Sequence, residues 1–311
     1  MTTLSVVIPV FRSEGTLAEL HRRLSETLPT LSTDHEIIFV EDGGGDGSWD
    51  VIEGLTRADP RVRGIRMSRN YGQHNALLAG IRAARHDVVV TMDDDLQHPV
   101  TEIAALLTAL GPDTDVVYGA PREEQHGVLR NLASRLTKIA LTEAMGADTA
   151  RNVSAFRAFR TRLRDGFRDY RSPYVSIDVL LTWATTRFAA IRVRHEPRTI
   201  GVSGYTLRKL VVHAVNLMTG FSTMPLQVAS LVGFLFVLFG GLILLLVFVN
   251  YLIRGGEAPG FAFIASMIAI FSGAQLFALG VFGEYLARMH FRSMDRPVYV
   301  VAETTGPGGP G

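Results

Sequence analysis

Two long apolar stretches near the C-terminus constrain the fold of this chain more than any other feature. Ala229 to Ile253 holds 25 residues without a charge, and Phe261 to Gly283 holds 23 more. About 20 apolar residues span a bilayer, so both stretches predict transmembrane helices. The alternative is a helical hairpin buried in a soluble protein, but LVGFLFVLFGGLILLLVFV is apolar on every face. The sequence therefore favours a membrane protein with a two-helix hairpin at about 229–253 and 261–283.

Basic residues flank this pair of stretches on its outer sides. The short linker between the stretches contains only Arg254, together with Glu257. The outer basic residues are Arg208, Lys209, Arg288, Arg292 and Arg296. Because cytoplasmic flanks carry the excess of Lys and Arg, we predict a multi-pass protein of the inner (plasma) membrane with both termini in the cytosol.

The rest of the chain divides into three parts. Residues 1–206 mix charged and apolar segments and predict a cytosolic domain. Residues 207–225 carry apolar side chains at helical spacing opposite two basic residues, which predicts an amphipathic helix at the membrane interface. The spans lie within residues 226–287. Residues 288–311 form a cytosolic tail, and we expect its Gly/Pro-rich end, TTGPGGPG, to be disordered.

Strand and helix patterns alternate through residues 4–119. Runs rich in Val and Ile are followed by segments with apolar residues at helical spacing, which predicts a mainly parallel sheet with helices on both faces, an α/β fold. The predicted helices are Thr16 to Leu28, a helix from Ser48, HNALLAGIRAAR and VTEIAALLTAL. The predicted strands are LSVVIPV, EIIFVED, VRGIRMS, DVVVTMD and DVVYG.

Three of these strands end in residues that suit a ligand site. They are Pro9-Val10-Phe11, Glu41-Asp42-Gly43 and Asp93-Asp94-Asp95. A solvated turn before the helix that follows Pro99 would explain an isolated Asp-x-Asp. However, the carboxyl ends of parallel strands share one edge, where ligands bind. Clustered carboxylates there suit Mg²⁺ or Mn²⁺ with an anionic ligand, so the coincidence of three strand ends favours a cation site.

Composition excludes several other classes of protein. The net charge is only +1, so nothing indicates a nucleic-acid partner. The chain has no Cys, which excludes disulfides, thiolate metal sites and a Cys nucleophile. It also lacks the G-x-x-x-x-G-K-[ST] loop, and no G-x-G-x-x-G follows the first strand, which argues against a P-loop enzyme and a dinucleotide-binding domain.

An ordered set of motifs carries a resemblance to a known family. LSVVIPVF, EIIFVEDGGGDGS, SRNYGQHNALLAG, MDDDLQHP and DVVYG resemble family 2 glycosyltransferases of the GT-A fold. The two spans, with FSTMPLQVAS before them and GVFGEYLAR after them, are similar to the polyprenyl-phosphate glycosyltransferases. That group includes dolichol-phosphate mannosyltransferases, bactoprenol glucosyltransferases and undecaprenyl-phosphate aminoarabinose transferases. RNYGQH and RAFR resemble the last of these most.

The resemblance implies roles for individual residues around the donor. Asp93 and Asp95 resemble the D-x-D pair, with Asp95 on the metal and Asp93 on the nucleotide ribose and metal. The implied catalytic set is Asp93, Asp95, Gln97 and Arg122. The implied nucleotide-sugar-binding set is Pro9, Phe11, Val40, Asp42, Asp93 and Asp94. The implied cofactor is Mg²⁺ or Mn²⁺.

On the acceptor side, the resemblance implies a second set of polar residues. These acceptor-phosphate residues are Arg157, Arg160, Arg198, Ser203 and Tyr205. Ala155 stands where many members of the family have Asp, and Gly204 stands where Lys is usual. A phosphate acceptor is already an anion at pH 7, because its second pKa is about 6, so it needs no general base. Cationic guidance would be sufficient for such an acceptor.

Arginine is dense next to these positions, with seven arginines between Arg151 and Arg171. One interpretation is that they guide anionic substrates. The other is a solvated basic face on anionic lipid, where each charge near the surface contributes about 1 kcal/mol. The sequence leaves both interpretations open.

The resemblance implies a membrane enzyme with a GT-A catalytic domain. It would transfer one sugar, with inversion, from a nucleotide-diphosphate sugar to polyprenyl (undecaprenyl or decaprenyl) phosphate at the cytosolic face of the bilayer, for cell-envelope glycosylation. It also implies a homo-oligomer, a tetramer. The alternatives are a processive polysaccharide or glycolipid synthase, which usually carries a Q-x-x-R-W motif that is absent here, and an inactive membrane scaffold. The sequence does not name the sugar.

Overall fold

The structure, a computed structural model, describes residues 2–121, 152–172, 175–196, 224–254, 261–294 and 296–307. The chain forms two compact units. One contains Met1–Ala214 together with Asp295–Gly311, and the other contains Val215–Met294. The chain therefore leaves the first unit once and returns to it with its last residues.

A mostly parallel sheet forms the centre of the first unit. Within the described residues it has eight strands in the order β7-β5-β6-β4-β1-β2-β3-β8. The strands are β1 (Thr3–Val10), β2 (Asp34–Glu41), β3 (Val62–Met67), β4 (Val88–Thr91), β5 (Val116–Pro121), β6 (Arg157–Arg160), β7 (Phe188–Val193) and β8 (Val301–Thr305). β6 is antiparallel to β4 and β5, and β8 is antiparallel to β3, whereas the other pairs are parallel.

Helices cover both faces of this sheet because successive side chains of a strand point to opposite sides. Val6 and Ile8 belong to a core cluster with residues of α1 and α2. Val7 and Val40 instead approach Gly80 of α3. The α-helices among the described residues of this unit are α1 (Glu14–Leu31), α2 (Ser48–Ala58), α3 (Gln73–Ala83), α4 (Ile103–Ala109) and α5 (Ile177–Ala184).

The five strands predicted from β-branched runs are confirmed as β1 to β5, and the α/β fold class is confirmed with them. Three further strands were not predicted. β6 has the sequence RAFR, and β7 has FAAIRV. Neither is a continuous apolar run, because both strands carry arginines whose charged ends reach polar partners.

The C-terminal tail corrects another expectation. Thr304 and Thr305, at the start of the segment expected to be disordered, belong to β8 and pair with Ile65 and Gly64. The hydroxyls of Thr305 and Thr56 lie 3.0 Å apart. The Ser68 backbone N–H donates to the carbonyl of Val300 at 2.9 Å. Polar composition did not prevent order here, since an open strand edge supplies hydrogen-bond partners.

The second unit contains two long helices, α6 (Met224–Arg254) and α7 (Phe261–Ser293). Both are long and apolar enough to cross a membrane, with mean hydropathy of 2.3 over Leu226–Ile243 and 1.3 over Ile270–Ala287. The rings of Phe236 and Phe271 pack edge to face with centroids 5.8 Å apart. The predicted spans fall within these helices, while most of the predicted interfacial helix lies outside the described residues.

Candidate active site

Three strands of the sheet end together at one edge. β1 pairs with β2 up to Val10 and Glu41, and with β4 up to Val7 and Thr91. Because all three strands are parallel, the segments that follow them leave the sheet on the same side. The backbone N–H of Phe11 donates to Oδ2 of Asp94 at 3.2 Å, which joins the end of β1 to the acidic turn after β4.

The acidic turn is built from Asp93, Asp94 and Asp95, all partly buried. Oδ1 of Asp95 accepts the backbone N–H of Gln97 at 3.1 Å, an Asx-type turn that lets Leu96 adopt a φ of +63°. Burial raises the pKa of Asp94. The alternative interpretation was a solvated turn. The three carboxylates are instead partly buried.

The backbone of Gln97 is hydrogen-bonded to Glu196, which follows β7. Its carbonyl accepts the N–H of Glu196 at 2.8 Å, and its side-chain amide donates to the carbonyl of Glu196 at 3.4 Å. Its neighbour His98 is buried and stacks on Phe156, with ring centroids 5.1 Å apart. Burial lowers the pKa of His98 to about 4, so this imidazole is neutral and packs as a ring.

The first turn of α3 reaches the same edge and was not assigned a role from the sequence. The side-chain Nε2 of Gln73 donates to Oδ1 of Asp93 at 2.7 Å. Gln73 belongs to the motif SRNYGQHNALLAG, and the only sequence signal for it was that membership. Its place next to Asp93 follows from the position of α3 in the fold.

Asp42 has a different place from the one that the sequence implied. It is 3% exposed, and its two oxygens accept the backbone N–H groups of Tyr71 at 2.7 Å and Gly72 at 2.8 Å. Burial raises the pKa of Asp42, and these two hydrogen bonds act in the opposite direction. Its carboxylate therefore anchors the turn that starts α3, and its expected contact with the nucleotide stays a prediction.

Pro9, Val40 and Phe11, which the resemblance also assigns to nucleotide-sugar binding, differ in their exposure. Pro9 and Val40 are buried, and Val40 faces the helix side of the sheet near Gly80. Phe11 is 45% exposed and has the guanidinium of Arg12 5.3 Å from its ring centroid. Of these residues, Phe11 alone offers an accessible ring face for stacking, while Pro9 and Val40 act through packing.

Arg157, expected on the acceptor side, is buried and paired in this structure. It is 2% exposed, and it donates through Nη1 to Oδ1 of Asp178, a buried residue in the first turn of α5. The hydroxyl of Tyr118 also donates to Oδ1 of Asp178, at 3.1 Å. A charged pair this deep is an internal contact in this structure, so Arg157 does not lie on an exposed surface open to an acceptor phosphate.

Arg160 lies at the other end of the same strand. Its partner in the sheet is Val88, at the start of β4, whereas Arg157 pairs with Thr91 at the end of β4 next to the acidic turn. Arg160 donates to the carbonyl of Gly111 at 2.9 Å and lies 3.6 Å from Asp115. Arg160 therefore lies at the opposite end of the strands from the acidic turn, and the structure does not bring the two together.

The arginine-rich segment is mostly occupied by internal contacts. Asp115 accepts from Arg162 at 3.0 Å and from Arg187, and these contacts hold the pKa of Asp115 well below its usual range. Arg164 donates to carbonyls at the C-terminal end of α3, which include that of Ala84. Arg168 pairs with Asp165 at 2.8 Å. Most of the described arginines here join elements of the fold, which was neither of the two interpretations.

Four predicted site residues lie outside the described residues. They are Arg122, Arg198, Ser203 and Tyr205. Their roles remain predictions from the resemblance.

The donor set at the acidic turn fits a divalent cation. Carboxylate oxygens of Asp93 and Asp95 are hard ligands, and Mg²⁺ usually takes only one or two carboxylates and completes its shell with water and substrate phosphates. Within the described residues, no three His, Asp or Glu side chains converge closely enough to hold an ion alone. A cation at this edge would therefore depend on a bound anion.

Comparison with known proteins identifies the family. Residues 5–171, which include the acidic turn and α3, match the profile described as glycosyl transferase family 2. The chain belongs to glycosyl transferase family 2. It is therefore a glycosyltransferase, and its mixed sheet is the GT-A sheet of that family.

Relatives with a named function match nearly the whole chain. A relative from Proteus mirabilis named undecaprenyl-phosphate 4-deoxy-4-formamido-L-arabinose transferase is 33% identical over 306 residues, which covers 97% of this chain and 94% of the relative. A relative of the same name from Pseudomonas aeruginosa is 34% identical over 96% of this chain and 89% of its own length. The similarity includes the region of the two apolar helices.

Solved structures support the fold alone. Mannosyl-3-phosphoglycerate synthase from Rubrobacter xylanophilus aligns with a TM-score of 0.53 at 16% identity, covering 70% of this chain and 72% of that one. Glucosyl-3-phosphoglycerate synthase from Mycobacterium tuberculosis, crystallised with Mn²⁺, UDP-glucose and phosphoglyceric acid, aligns with a TM-score of 0.51 at 17% identity, covering 70% and 78%. Both share the GT-A arrangement.

Proposed function

We propose that this family 2 glycosyltransferase moves a single sugar from a nucleotide-diphosphate sugar to the phosphate of a polyprenyl lipid at the cytosolic membrane face. The observation that carries the proposal is the match to undecaprenyl-phosphate sugar transferases over 97% of the chain. Those relatives match through the catalytic sheet and through α6 and α7 alike, and not through the sheet alone.

The donor would lie against the edge formed by Phe11 and the acidic turn. Phe11 offers an exposed ring for a base, and Asp93 and Asp95 offer oxygens for a ribose hydroxyl and a divalent cation. Bound there, Mg²⁺ or Mn²⁺ would neutralise charge on the departing diphosphate. Neutral Gln73 and the buried neutral ring of His98 leave the negative charge of this turn available to such an ion.

The acceptor would be a phosphate monoester and not a hydroxyl. Ala155 provides no base at its position, and its carbonyl accepts the hydroxyl of Thr91 at 2.7 Å, so this segment has a structural contact instead. A phosphate oxygen attacks the anomeric carbon, the bond from that carbon to the diphosphate breaks, and the nucleoside diphosphate leaves with both bonding electrons. No proton has to be removed from a phosphate that is already charged.

The membrane arrangement belongs to the same proposal. Two apolar helices suit a hairpin that holds the enzyme at the bilayer, where its lipid substrate is found. The basic flanks support a topology in which both termini lie in the cytosol. A reporter fused after the tail should be cytosolic, and a tag inserted near Gly256 should face the opposite compartment.

Acceptor choice tests the proposal. Purified enzyme in lipid nanodiscs is incubated with Mn²⁺ and a panel of radiolabelled nucleotide sugars, with undecaprenyl phosphate in one series and undecaprenol in the other. Transfer to the phosphate but not to the alcohol, with one sugar per lipid, is the expected result. Transfer to undecaprenol, or growth of a polymer, would contradict it and favour a glycolipid or processive synthase.

A further inference from the structure

Gln73 approaches the acidic turn from a different part of the fold. It is the first residue of α3, it is exposed, and its Nε2 lies 2.7 Å from Oδ1 of Asp93. A hydrogen bond from an exposed Gln side chain contributes little net free energy, because ordering that side chain costs rotamer entropy. The cost matters less where the backbone already directs the side chain toward its partner. The backbone at Gln73 meets this condition.

The start of α3 is anchored from two sides. Asp42 accepts the N–H groups of Tyr71 and Gly72, and Gly72 has a φ of +95°, a conformation that glycine adopts without strain. On the other side of Gln73, Nδ1 of His74 accepts the N–H of Ile177 at 3.4 Å. The buried carboxylate of Asp42 thus fixes the turn that delivers the Gln73 amide to the second carboxylate, Asp93.

The chemistry of the amide also fits this place. An amide N–H orients a carboxylate oxygen without cancelling its charge, whereas Lys or Arg would neutralise it. A carboxylate that is to hold a cation or a ribose hydroxyl needs both a fixed rotamer and its negative charge. A neutral donor fixes the rotamer of the carboxylate and preserves its negative charge.

We propose that Gln73 is a positioning residue, which holds Asp93 in the orientation that binds the metal-bound nucleotide. The inference rests on the proposed function, since it requires a nucleotide-sugar donor and a divalent cation at this edge. It assigns to Gln73 an action through Asp93 and not a direct contact with the transferred sugar.

Gln73→Met is the informative variant, because Met has nearly the same length and helix propensity but no amide donor. Full-length protein in detergent is titrated with UDP, GDP and dTDP by calorimetry, once with Mn²⁺ and once with EDTA, and the nucleotide that binds wild type most tightly is kept. We expect Gln73→Met to weaken binding about tenfold with Mn²⁺, the range for a hydrogen bond to a charged group. Binding in EDTA and the thermal unfolding midpoint should be unchanged.

A second variant separates position from charge. Gln73→Lys keeps a donor near Asp93 but adds a positive charge, so it should lose more of the Mn²⁺-dependent binding than Gln73→Met does. An undiminished Mn²⁺-dependent gain in Gln73→Met would overturn the inference. Equal losses with Mn²⁺ and with EDTA would also overturn it, since they indicate a direct nucleotide contact or a damaged fold. If wild type binds no nucleotide more tightly with Mn²⁺, the proposed function itself fails.

Discussion

Arg157 and Asp178 form an ion pair inside the first unit, with side chains 2% and 7% exposed. The pair joins β6 to α5, and the hydroxyl of Tyr118 adds a third polar group. Removing one charge leaves the other buried without compensation, which typically costs about 3–5 kcal/mol. We therefore expect Asp178→Ala to lower the free energy of unfolding by about that amount, measured by denaturant titration of the protein in detergent.

A double variant provides the control for this pair. Arg157→Met combined with Asp178→Leu removes both charges and should recover much of the lost stability, since apolar replacement of buried ion pairs is often nearly neutral. If Asp178→Ala folded as stably as wild type but lost transfer to the lipid, the pair would serve the acceptor, as first predicted for Arg157.

Asp95→Asn tests the cation site with little change in shape. The substitution removes the charge that would hold the ion but keeps an oxygen that can accept the N–H of Gln97. We expect sugar transfer to fall by about two orders of magnitude or more, while the thermal unfolding midpoint stays close to that of wild type. Full activity in this variant, or of wild type in excess EDTA, would show that the acidic turn holds no catalytic ion.

Asp42→Asn should weaken the donor site from a distance. One oxygen of Asp42 becomes an NH₂ group that faces a backbone N–H, so a buried hydrogen bond is lost at a cost of about 1–3 kcal/mol. The turn before Gln73 then loosens, and both the unfolding midpoint and nucleotide affinity should decrease. Asp50→Asn changes an exposed carboxylate in the first turn of α2, and as the matched control it should change neither quantity.

His98 predicts a specific pH dependence of stability. Its pKa in the folded protein is about 4, lowered from 6.5 chiefly by burial. Between these two values the unfolded chain binds a proton that the folded chain does not, so stability is full above pH 6.5 and decreases as the pH falls toward 4. The slope for one such group is at most about 1.4 kcal/mol per pH unit.

His98→Phe should remove this contribution, because a phenyl ring can stack on Phe156 and takes up no proton. Unfolding free energies measured from pH 7 to pH 4 should show a shallower decrease in the variant than in wild type. Parallel curves for the two proteins would mean that His98 takes up its proton over the same pH range in the folded and unfolded states.

Removal of residues 296–311 tests the role of the tail. Without β8, the outer side of β3 loses its ladder and buried Val298 loses its packing, which together should lower stability by at least about 2 kcal/mol. Removal of residues 308–311 alone leaves β8 complete and is the control. Equal unfolding midpoints for the two shortened chains would contradict the assignment of β8 to the sheet.

The parts of the fold that the sequence predicted share one property, which is that local pattern decides them. Runs such as VVIPV and IIFV are strands in almost any context, and three aspartates after a strand mark a turn. The roles of Asp42 and Arg157 depend instead on which distant groups meet them. Nothing near Asp42 in the sequence indicates that Tyr71 and Gly72 would occupy its oxygens, and nothing near Arg157 indicates Asp178.

Dependence on distant contacts also explains why the sequence did not predict the role of Gln73. It explains as well why Pro9 and Val40 were expected to face the nucleotide. A polar residue at the start of a helix has many partners open to it, and only the position of α3 next to β4 selects Asp93. Strand residues near the active edge were expected to face the ligand, but alternation along the strand turns Val40 into the core.

The pairing of β8 with β3 gives the sheet an order of assembly. Gly64 is made early during translation, and its partner Thr305 is made only after both α6 and α7. A nascent chain therefore carries β3 with one unpaired side until the residues of β8 have left the ribosome. If synthesis stalls before that point, the open strand can pair with another chain. Synthesis of the two apolar helices thus precedes closure of the catalytic sheet, so a complete sheet reports that α6, α7 and β8 have all been made.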